Sequence, residues 1–247
     1  MERTNFKNII RNSIIIVLAI IVLGYVGTTI LKYQVEGEKN MPFTISKLML
    51  ISNAEGVEKY ENSNVWNMDI MQNNDVYIEI IKNKHHKEQE IIESITLDNF
   101  IFSKEPQIGS MTIYRPSADE KRTYDYKDES IIQNELTYIG SEQTNLKNLE
   151  IANQGGLILV RFCNKNVSTF NSDEQIEIKH DGTLLKNTGI ILEQIESEVS
   201  FDLTIKLVSG VSYKANIKLD LPAGNIIEEG TSSKEEKDLS DVIFKRV

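Results

Sequence analysis

An uncharged apolar run near the start of the chain constrains everything that follows it. Residues 12–31 read NSIIIVLAIIVLGYVGTTIL and contain no charged side chain. As an α-helix with a rise of about 1.5 Å per residue, the run would span roughly 30 Å, the thickness of a bilayer's hydrocarbon core. Its apolar residues occupy all sides of the helix, as is typical of a helix surrounded by lipid. The sequence therefore predicts a single transmembrane helix over residues 12–31, with the lipid bilayer as its partner.

A cleaved signal peptide is the alternative interpretation of the same run. Signal peptides have an apolar region of about 7–15 residues that ends in a small-residue cleavage site. This run is longer, and after Gly27-Thr28-Thr29 its apolar character resumes at Ile30 and Leu31. We therefore expect an anchor that is not removed.

The charges on either side of the run predict its direction in the membrane. Three basic residues and one acidic residue precede it, whereas two of each follow it: Arg3, Lys7, Arg11 and Glu2, then Lys32, Lys39, Glu36 and Glu38. Because basic flanks stay on the cytoplasmic side, we predict a cytoplasmic N-terminus over residues 1–11 and an extracytoplasmic chain beyond Lys32, at the plasma membrane. Gly24 and Thr28 have the small-xxx-small spacing that lets membrane helices pack closely. A weak homodimer through these two residues is the alternative to the ordinary use of small residues in membrane helices.

The charge balance excludes one class of partner. Of the chain's 27 basic and 37 acidic residues, three basic and one acidic lie in residues 1–31, which leaves 24 basic and 36 acidic residues outside the membrane. Such an acidic surface repels nucleic acid and other anionic polymers, so no nucleic-acid partner is predicted. Cys163 is the only cysteine, so the ectodomain has no intrachain disulfide and must rely on its apolar core.

Beyond the anchor the chain has short segments rich in β-forming residues, separated by turn signals, with no sustained helical period. This spacing is typical of β-sandwiches, and we predict an all-β, immunoglobulin-like ectodomain. A polar linker over residues 32–42 precedes it. The strands fit two sandwich domains in tandem, over residues 43–139 and 149–222, with a boundary near 140–148. One large sandwich is the alternative.

Alternation of apolar and polar residues predicts two β-hairpins. The longer one pairs residues 199–207 with 211–221 around a turn at Ser209-Gly210. The other pairs residues 65–71 with 76–82, and its turn is formed by the polar sequence QNND between them.

Other local signals predict further strands, a turn and a short helix. Residues 43–51 form a strand that ends in a turn at 52–56, and residues 157–164 form a central strand covered on both faces. Asp181-Gly182 is a hairpin signal between two further short strands. Residues 191–197 could form a single helical turn that crosses between the sheets.

The end of the chain changes in composition. Residues 223–238 are charged and offer little to bury, so we predict that the acidic tail, residues 223–247, is mostly disordered. Residues 239–247 regain apolar side chains. We expect them either to dock on a sheet edge, of this chain or of another, or to form a frayed terminus.

Two groups of residues carry the chemistry of metal ligands. Imidazoles such as those of His85 and His86 suit zinc, copper or nickel, but adjacent side chains on a strand point to opposite faces and the neighbouring lysines repel a cation. The second group is an acidic patch suited to calcium, at Asp119, Glu120, Asp125, Asp128 and Glu129. Its spacing matches no EF-hand. We interpret both groups as solvated loops and predict no metal and no cofactor.

No pattern of residues predicts a catalytic site. The chain lacks a Gly-x-Ser-x-Gly elbow, a phosphate-binding glycine loop and a His-Glu-x-x-His pair. Cys163 with His180 is the one route to a cysteine nucleophile, but its strand is apolar, which predicts a buried thiol that packs as a hydrophobe. We therefore predict that the protein is not an enzyme.

The outline of the chain resembles bitopic bacterial surface proteins with immunoglobulin-like ectodomains, a resemblance of architecture alone. The many Ile, Asn, Lys and Glu residues also favour a low-GC bacterium. The main hypothesis is a noncatalytic protein-interaction or scaffold module at the outer face of the membrane. The alternative is a cell-wall or glycan-binding module that uses exposed aromatic residues, for which Trp66, Tyr114, Tyr124 and Tyr126 are available.

Overall fold

A computed structural model describes residues 2–59, 65–117, 123–142, 149–172 and 177–247, without the side chains of residues 2–10 and 13. Its helices are α1 (Glu2–Glu36), α2 (Thr183–Asn187), α3 (Leu192–Ile195) and α4 (Ile226–Glu229), with one 3-10 turn at Asp128–Ser130. Its strands are β1 (Phe43–Glu58), β2 (Asn67–Lys82), β3 (Ile92–Lys104), β4 (Ser110–Tyr114), β5 (Glu135–Gly140), β6 (Leu149–Ile151), β7 (Gly155–Asn171), β8 (Ser197–Leu207), β9 (Ser212–Leu221), β10 (Thr231–Glu236) and β11 (Lys245–Arg246).

The helix α1 contains the predicted span and extends past both of its ends. Within it, Ile14–Glu36 is the one described segment long and apolar enough to cross a membrane, and none of it is buried inside the protein. Leu23 and Tyr25, for example, are 71% and 73% exposed. Because an apolar surface of this length is costly to leave in water, it fits a helix covered by lipid.

The strands form two sheets. The first sheet has the order β10-β1-β2-β7-β4, and the second has the order β11-β9-β8-β3-β5-β6. All pairings between named strands are antiparallel except the short one between β5 and β6. The sheets enclose one large apolar core to which both contribute, and Phe162 of the first sheet lies 5.9 Å, centroid to centroid, from Phe201 of the second. Full burial of each such ring contributes about 1.5–3 kcal/mol. The predicted β-sandwich after a single helix is confirmed.

The division into two sandwich domains in tandem does not agree with the strand pairing. Strand β2 pairs with β7 in the first sheet, and β3 pairs with β8 in the second. Residues 43–139 and 149–222 therefore share both sheets and build the single large sandwich that was the alternative. Alternation indicates which side chains face a core, but it does not identify the partner of each strand.

The turns predicted at residues 52–56 and 72–75 are wrong, because both segments lie inside unbroken strands. Ser52 and Asn74 face the interior and are fully buried. Ser52 Oγ donates to Asn74 Oδ1 over 2.7 Å, and Asn74 Nδ2 donates to the backbone oxygen of Phe162 over 3.1 Å. Since buried polar groups are stable when they are hydrogen-bonded, the strands continue through sequence that is typical of turns. The hairpin predicted around the second turn is one strand, β2.

Predictions that depend on local alternation are confirmed. Strands β8 and β9 pair without a register shift from Ser197 opposite Leu221 to Lys206 opposite Ser212. Strand β7 contains the predicted central strand and lies between β2 and β4. Helix α3 is the predicted helical turn.

The hairpin predicted at Asp181-Gly182 is wrong. Asp181 Oδ1 accepts from the backbone N–H of Thr183 over 2.9 Å, and helix α2 begins there.

The disorder predicted for residues 223–238 is also wrong. Ile226 and Ile227 of α4 are buried in a second, smaller core, and β10 pairs with the edge of β1. Strand β10, with the sequence TSSKEE, gives no apolar signal because its backbone, not its side chains, makes the pairing.

The last residues dock on this chain's own sheet edge, since β11 pairs with β9. They also hold the end of α1. The backbone N–H of Glu38 donates to Phe244 over 2.8 Å, and that of Arg246 donates to Tyr33 Oη over 2.8 Å. Gly37 ends the helix with a φ of +68°, and a Cβ there would lie 2.5 Å from the backbone oxygen of Phe244. The predicted linker is thus attached to the sandwich.

Candidate functional site

A largely buried ion pair lies on the outer face of the first sheet, opposite the large core. Asp75 of β2 and Arg161 of β7 are register partners, and their neighbours Val76 and Phe162 point inward. Because side chains alternate along a strand, Asp75 and Arg161 point outward. Arg161 donates twice to Asp75, from Nε to Oδ1 over 2.5 Å and from Nη2 to Oδ2 over 2.7 Å. The two side chains are only 12% and 14% exposed.

Aromatic rings cover this ion pair. The Arg161 guanidinium carbon lies 4.0 Å from the ring centroid of Tyr124 and 5.7 Å from that of Tyr126, within the range of cation–π attraction. Tyr114 packs edge-on against Tyr126 with 5.4 Å between ring centroids. Arg161 Nη1 also donates to Tyr126 Oη over 2.5 Å. Hydrogen bonds therefore hold the Arg161 guanidinium group in its plane, and the tyrosine rings pack against its face.

Hydrogen bonds extend from the ion pair to β1. Tyr126 Oη donates to Glu55 Oε2 over 2.8 Å, and Asn73 Nδ2 donates to the same carboxylate over 3.2 Å and to Tyr126 Oη over 2.9 Å. We call these side chains the tyrosine–arginine cluster: Glu55, Asn73, Asp75, Tyr114, Tyr124, Tyr126 and Arg161.

The cluster is closed by the connection between β4 and β5, which folds back over the first sheet. Its start and end are held together, because the backbone N–H of Arg115 donates to Ser130 over 3.0 Å and that of Ile132 donates to Ile113 over 2.8 Å. Ser117 also donates to Thr123 over 2.8 Å. This connection delivers Tyr124 and Tyr126 to the outer face, while residues 118–122 lie outside the described part.

A cavity of about 530 Å³ opens beside the cluster. It is lined by Glu55, Val57, Thr123, Tyr124, Tyr126 and Arg161. Its volume lies within the roughly 300–1,000 Å³ of ligand pockets. A second cavity of about 600 Å³ lies between β9 and the C-terminal segment, and the described residues that line it include no aromatic ring. The first cavity is the better candidate because its polar groups are already fixed in position.

Arg161, Tyr124 and Tyr126 each keep one charge state near neutral pH. Burial by itself lowers the pKa of Arg161, but the hydrogen bonds and charge of Asp75 outweigh it, so the pKa lies above its usual value and the side chain stays cationic. Burial raises the pKa of Tyr124 and Tyr126, which therefore stay neutral. Burial also raises the pKa of the Cys163 thiol to about 12. These four groups are therefore poorly suited to proton transfer near neutral pH.

The structure brings together only some of the residues that the sequence singled out. Tyr114, Tyr124 and Tyr126 meet in the cluster, whereas Trp66 packs on the second core and against the ring of His180. Cys163 is buried as predicted, but it lies under the cluster with its Sγ 3.7 Å from Met71 Sδ, not in the large core.

The described part of the acidic patch is engaged in local contacts. Asp125 accepts from Lys127 through both the backbone N–H, over 2.9 Å, and Nζ, over 3.1 Å. Asp128 and Glu129 lie in the 3-10 turn, and Glu129 pairs with Lys127 over 3.9 Å. Asp119 and Glu120 lie outside the described residues. His85 is exposed, and His86 lies near Glu88 and Glu90.

Sequence reasoning missed Glu55, Asn73, Asp75 and Arg161. The first three fall in segments whose composition predicted turns. Arg161 carried the only usable signal, a single charge inside the apolar run LILVRFCN. Such a charge in a strand covered on both faces requires a partner.

Comparison of the chain with models of known protein families, with curated proteins and with solved structures finds no match in any of the three.

Proposed function

We propose that this chain is a single-pass membrane protein whose sandwich acts as a noncatalytic binding module, and that the cavity of the tyrosine–arginine cluster contacts a protein partner. The observation that carries the proposal is the cavity itself, in which tyrosine rings, an arginine and a carboxylate are fixed on a rigid sheet outside the core. Tyrosine and arginine are the residue types enriched at the energetic centres of protein interfaces. Because these side chains are already ordered, a partner that binds them loses little conformational entropy.

The position of the cavity in the fold supports access by a partner. Val57 lies near the end of β1, about 45 Å along the strand from Phe43 at a rise of about 3.3 Å per residue. Phe43 lies at the end of the sandwich that is attached to α1. The hydrogen bonds that join the C-terminal residues with Tyr33 and Glu38 keep the sandwich at the end of the helix. Such an attachment suits a scaffold that presents its binding face away from a membrane.

The proposed setting is the outer face of a bacterial plasma membrane, with an immunoglobulin-like sandwich outside and residues 1–11 inside. The basic residues before the helix favour this direction. Protease added to intact cells should then digest the sandwich. A sandwich that resists protease until the cells are lysed, or that is released into the medium without residues 1–31, would contradict the proposed tethering.

A matched pair of substitutions tests the binding site. Val57 lines the cavity and is 40% exposed, whereas Val208 is 48% exposed and lies beside the β8–β9 turn. Tagged full-length wild type, Val57→Arg and Val208→Arg are captured from detergent-solubilised membranes, and thermal unfolding verifies that each is folded. We expect the partner recovered with wild type and Val208→Arg to be lost with Val57→Arg. Equal recovery with all three would overturn the assignment of this cavity.

A glycan is the second candidate ligand, because tyrosine rings beside a carboxylate also suit the stacking and hydrogen bonding of a sugar. The tyrosine rings and Glu55 are the groups concerned. Retention of the purified full-length chain on wall polysaccharide, with no other protein present, separates the two ideas. Retention that Val57→Arg abolishes would favour the glycan, and absence of retention would favour the protein partner. A chelator arm tests whether calcium assists the binding.

A further inference from the structure

We propose that His86, Glu88 and Glu90 bind a divalent transition-metal ion of the zinc class at the end of the sandwich next to α1. One ligand atom from each of the three side chains lies within 4.8 Å of the other two. All three belong to the connection between β2 and β3. The site is separate from the tyrosine–arginine cluster and does not depend on its function.

The two ring nitrogens of His86 have the surroundings that are typical of a metal-binding histidine. Its Nδ1 lies 3.3 Å from Asn40 Oδ1, and if Nδ1 carries the proton it donates to that oxygen. Its Nε2 is sealed from solvent and has no hydrogen-bond partner in the described residues. In that tautomer Nε2 has a free lone pair for a metal ion, and an outer-shell acceptor on the other nitrogen is the usual companion of a histidine ligand.

Backbone contacts fix the segment that carries the histidine. The backbone N–H of Asn83 donates to Pro42 over 2.8 Å, and Asn83 Nδ2 donates to the backbone oxygen of Met41 over 2.9 Å. The N–H of His86 in turn donates to the backbone oxygen of Asn83 over 3.1 Å. His86 is therefore held against the residues that lead out of the membrane helix.

The carboxylates supply the remaining ligands. Glu90 Oε2 accepts from Ser209 Oγ over 2.9 Å, which holds Glu90 in place, whereas Glu88 is exposed. Neither carboxylate takes part in any of the ion pairs within 4 Å found in the described part of the chain. The lysines that argued against a cation in the sequence, such as Lys84 and Lys87, are exposed and do not neutralise them.

The donor set selects the class of metal. One imidazole and two carboxylates suit zinc and its first-row neighbours, whereas calcium requires about six to eight oxygen ligands and magnesium a nearly complete octahedron of oxygens. Metal–ligand bonds of about 2.0–2.2 Å bring tetrahedral ligands to about 3.4 Å from one another. The three ligand atoms, which lie within 4.8 Å of one another, must therefore move closer together when the metal binds. Three protein ligands leave the fourth position to water.

Metal titration of the full-length chain in lipid nanodiscs tests the site. The protein is stripped with a chelator and its affinity tag removed, and ZnCl₂ is then titrated against a competing chromogenic chelator. We expect one high-affinity equivalent of zinc. Cobalt(II) in its place should give the visible absorption of a site with nitrogen and oxygen ligands, while CaCl₂ and MgCl₂ should not compete.

The adjacent histidines provide the matched control. We expect His86→Asn to weaken zinc binding by more than about 100-fold, beyond the 10–100-fold of an outer-shell change, and Asn40→Leu to weaken it by about 10–100-fold. His85→Asn should bind as wild type does. Thermal unfolding without metal verifies that each variant is folded, and Glu90→Gln provides a second ligand change if His86→Asn is not. Equal zinc affinity in the two histidine variants, or no equivalent of zinc bound at micromolar concentration, would overturn the proposal.

Discussion

Each sheet of the sandwich carries charged residues across neighbouring strands of its outer face, and the two faces differ in what covers them. On the first sheet, Asp75 and Arg161 are 12–14% exposed beneath Tyr124. On the second sheet, Lys214 lies 3.2 Å from Asp202 and 3.3 Å from Asp98, but its side chain is 34% exposed. In both places the charges lie on neighbouring strands, but Asp75 is directly opposite Arg161, whereas Lys214 lies diagonally across from Asp202. The difference is the β4–β5 connection, which removes the first pair from water and leaves a cavity beside it.

This difference has an energetic consequence. An exposed ion pair contributes little because water screens it, whereas a covered pair is costly to break because one charge is left buried without a partner. The stability of the outer face of the first sheet (the covered face) therefore depends on each member of its network. The stability of the outer face of the second sheet (the open face) does not depend on its ion pairs in this way.

Removing the cation from each face is expected to give the largest contrast. Arg161→Ala leaves Asp75 buried without its partner and should lower the free energy of unfolding by about 3–5 kcal/mol. Lys214→Ala should cost about 0–1 kcal/mol. Urea unfolding of the full-length chain in nanodiscs, followed by the fluorescence of Trp66, measures both. Equal losses from the two substitutions would show that the loop does not change the energetics of the ion pair.

Removing one hydroxyl group tests the hydrogen bonds of the cluster alone. Tyr126→Phe keeps the ring but deprives Glu55, Asn73 and Arg161 of a shared partner, so we expect a loss of about 1–3 kcal/mol. Tyr77→Phe, on the same outer face, should cost less than about 0.5 kcal/mol. The same unfolding experiment applies. A neutral Tyr126→Phe would mean that water replaces the hydroxyl and that the cluster is more open than its burial indicates.

Alkaline pH should weaken the covered face. Burial raises the pKa of Tyr124 and Tyr126 in the folded protein above the unfolded value of about 10. The folded state therefore keeps protons that the unfolded state loses, so their contribution to stability is complete below about pH 10 and decreases as the pH rises above it. Each tyrosine replaced by phenylalanine should flatten this decrease by up to about 1.4 kcal/mol per pH unit. The free energy of unfolding is measured between pH 9 and pH 11 for wild type and for the double variant Tyr124→Phe/Tyr126→Phe. Its dependence on pH should be steeper in wild type, and identical slopes would contradict the assigned burial.

Salt should distinguish the faces by the smallest effect, a few tenths of a kcal/mol. Between about 0.1 and 1 M ionic strength the Debye length falls from about 10 to about 3 Å, which screens exposed pairs more than covered ones. The cost of Lys214→Ala should shrink toward zero in high salt, while that of Arg161→Ala should stay nearly constant. A parallel decrease of both costs would show that the two pairs are equally accessible to ions.

The same distinction between local and distant contacts explains how much of the fold the sequence predicts. The β8–β9 hairpin is predicted because its alternation, turn and partner all lie in one short stretch. The polar middle of β2 is mistaken for a turn because Asn74 is satisfied by Ser52, twenty-two residues away, and by Phe162 of β7. Strand β10 is missed because backbone pairing with β1 leaves no mark on its side chains.

The candidate site is predicted even less completely. Tyr124 and Tyr126 stand out in the sequence, but their partners come from three strands that are distant in the chain. Only Arg161, a charge inside an apolar strand, signals locally that something must pair with it. Its bidentate partner, Asp75, becomes identifiable only when β2 and β7 are placed side by side.

Site-specific photo-cross-linking in intact cells tests the central claim, that the covered cavity is where a membrane-anchored sandwich meets its partner. A photoreactive phenylalanine is placed at Val57 beside the cavity and, separately, at Val208, both in the full-length chain. We expect irradiation to give one discrete adduct to another protein at Val57, which Arg161→Ala abolishes, and none at Val208. No adduct at Val57, or the same adducts at both positions, would contradict the account.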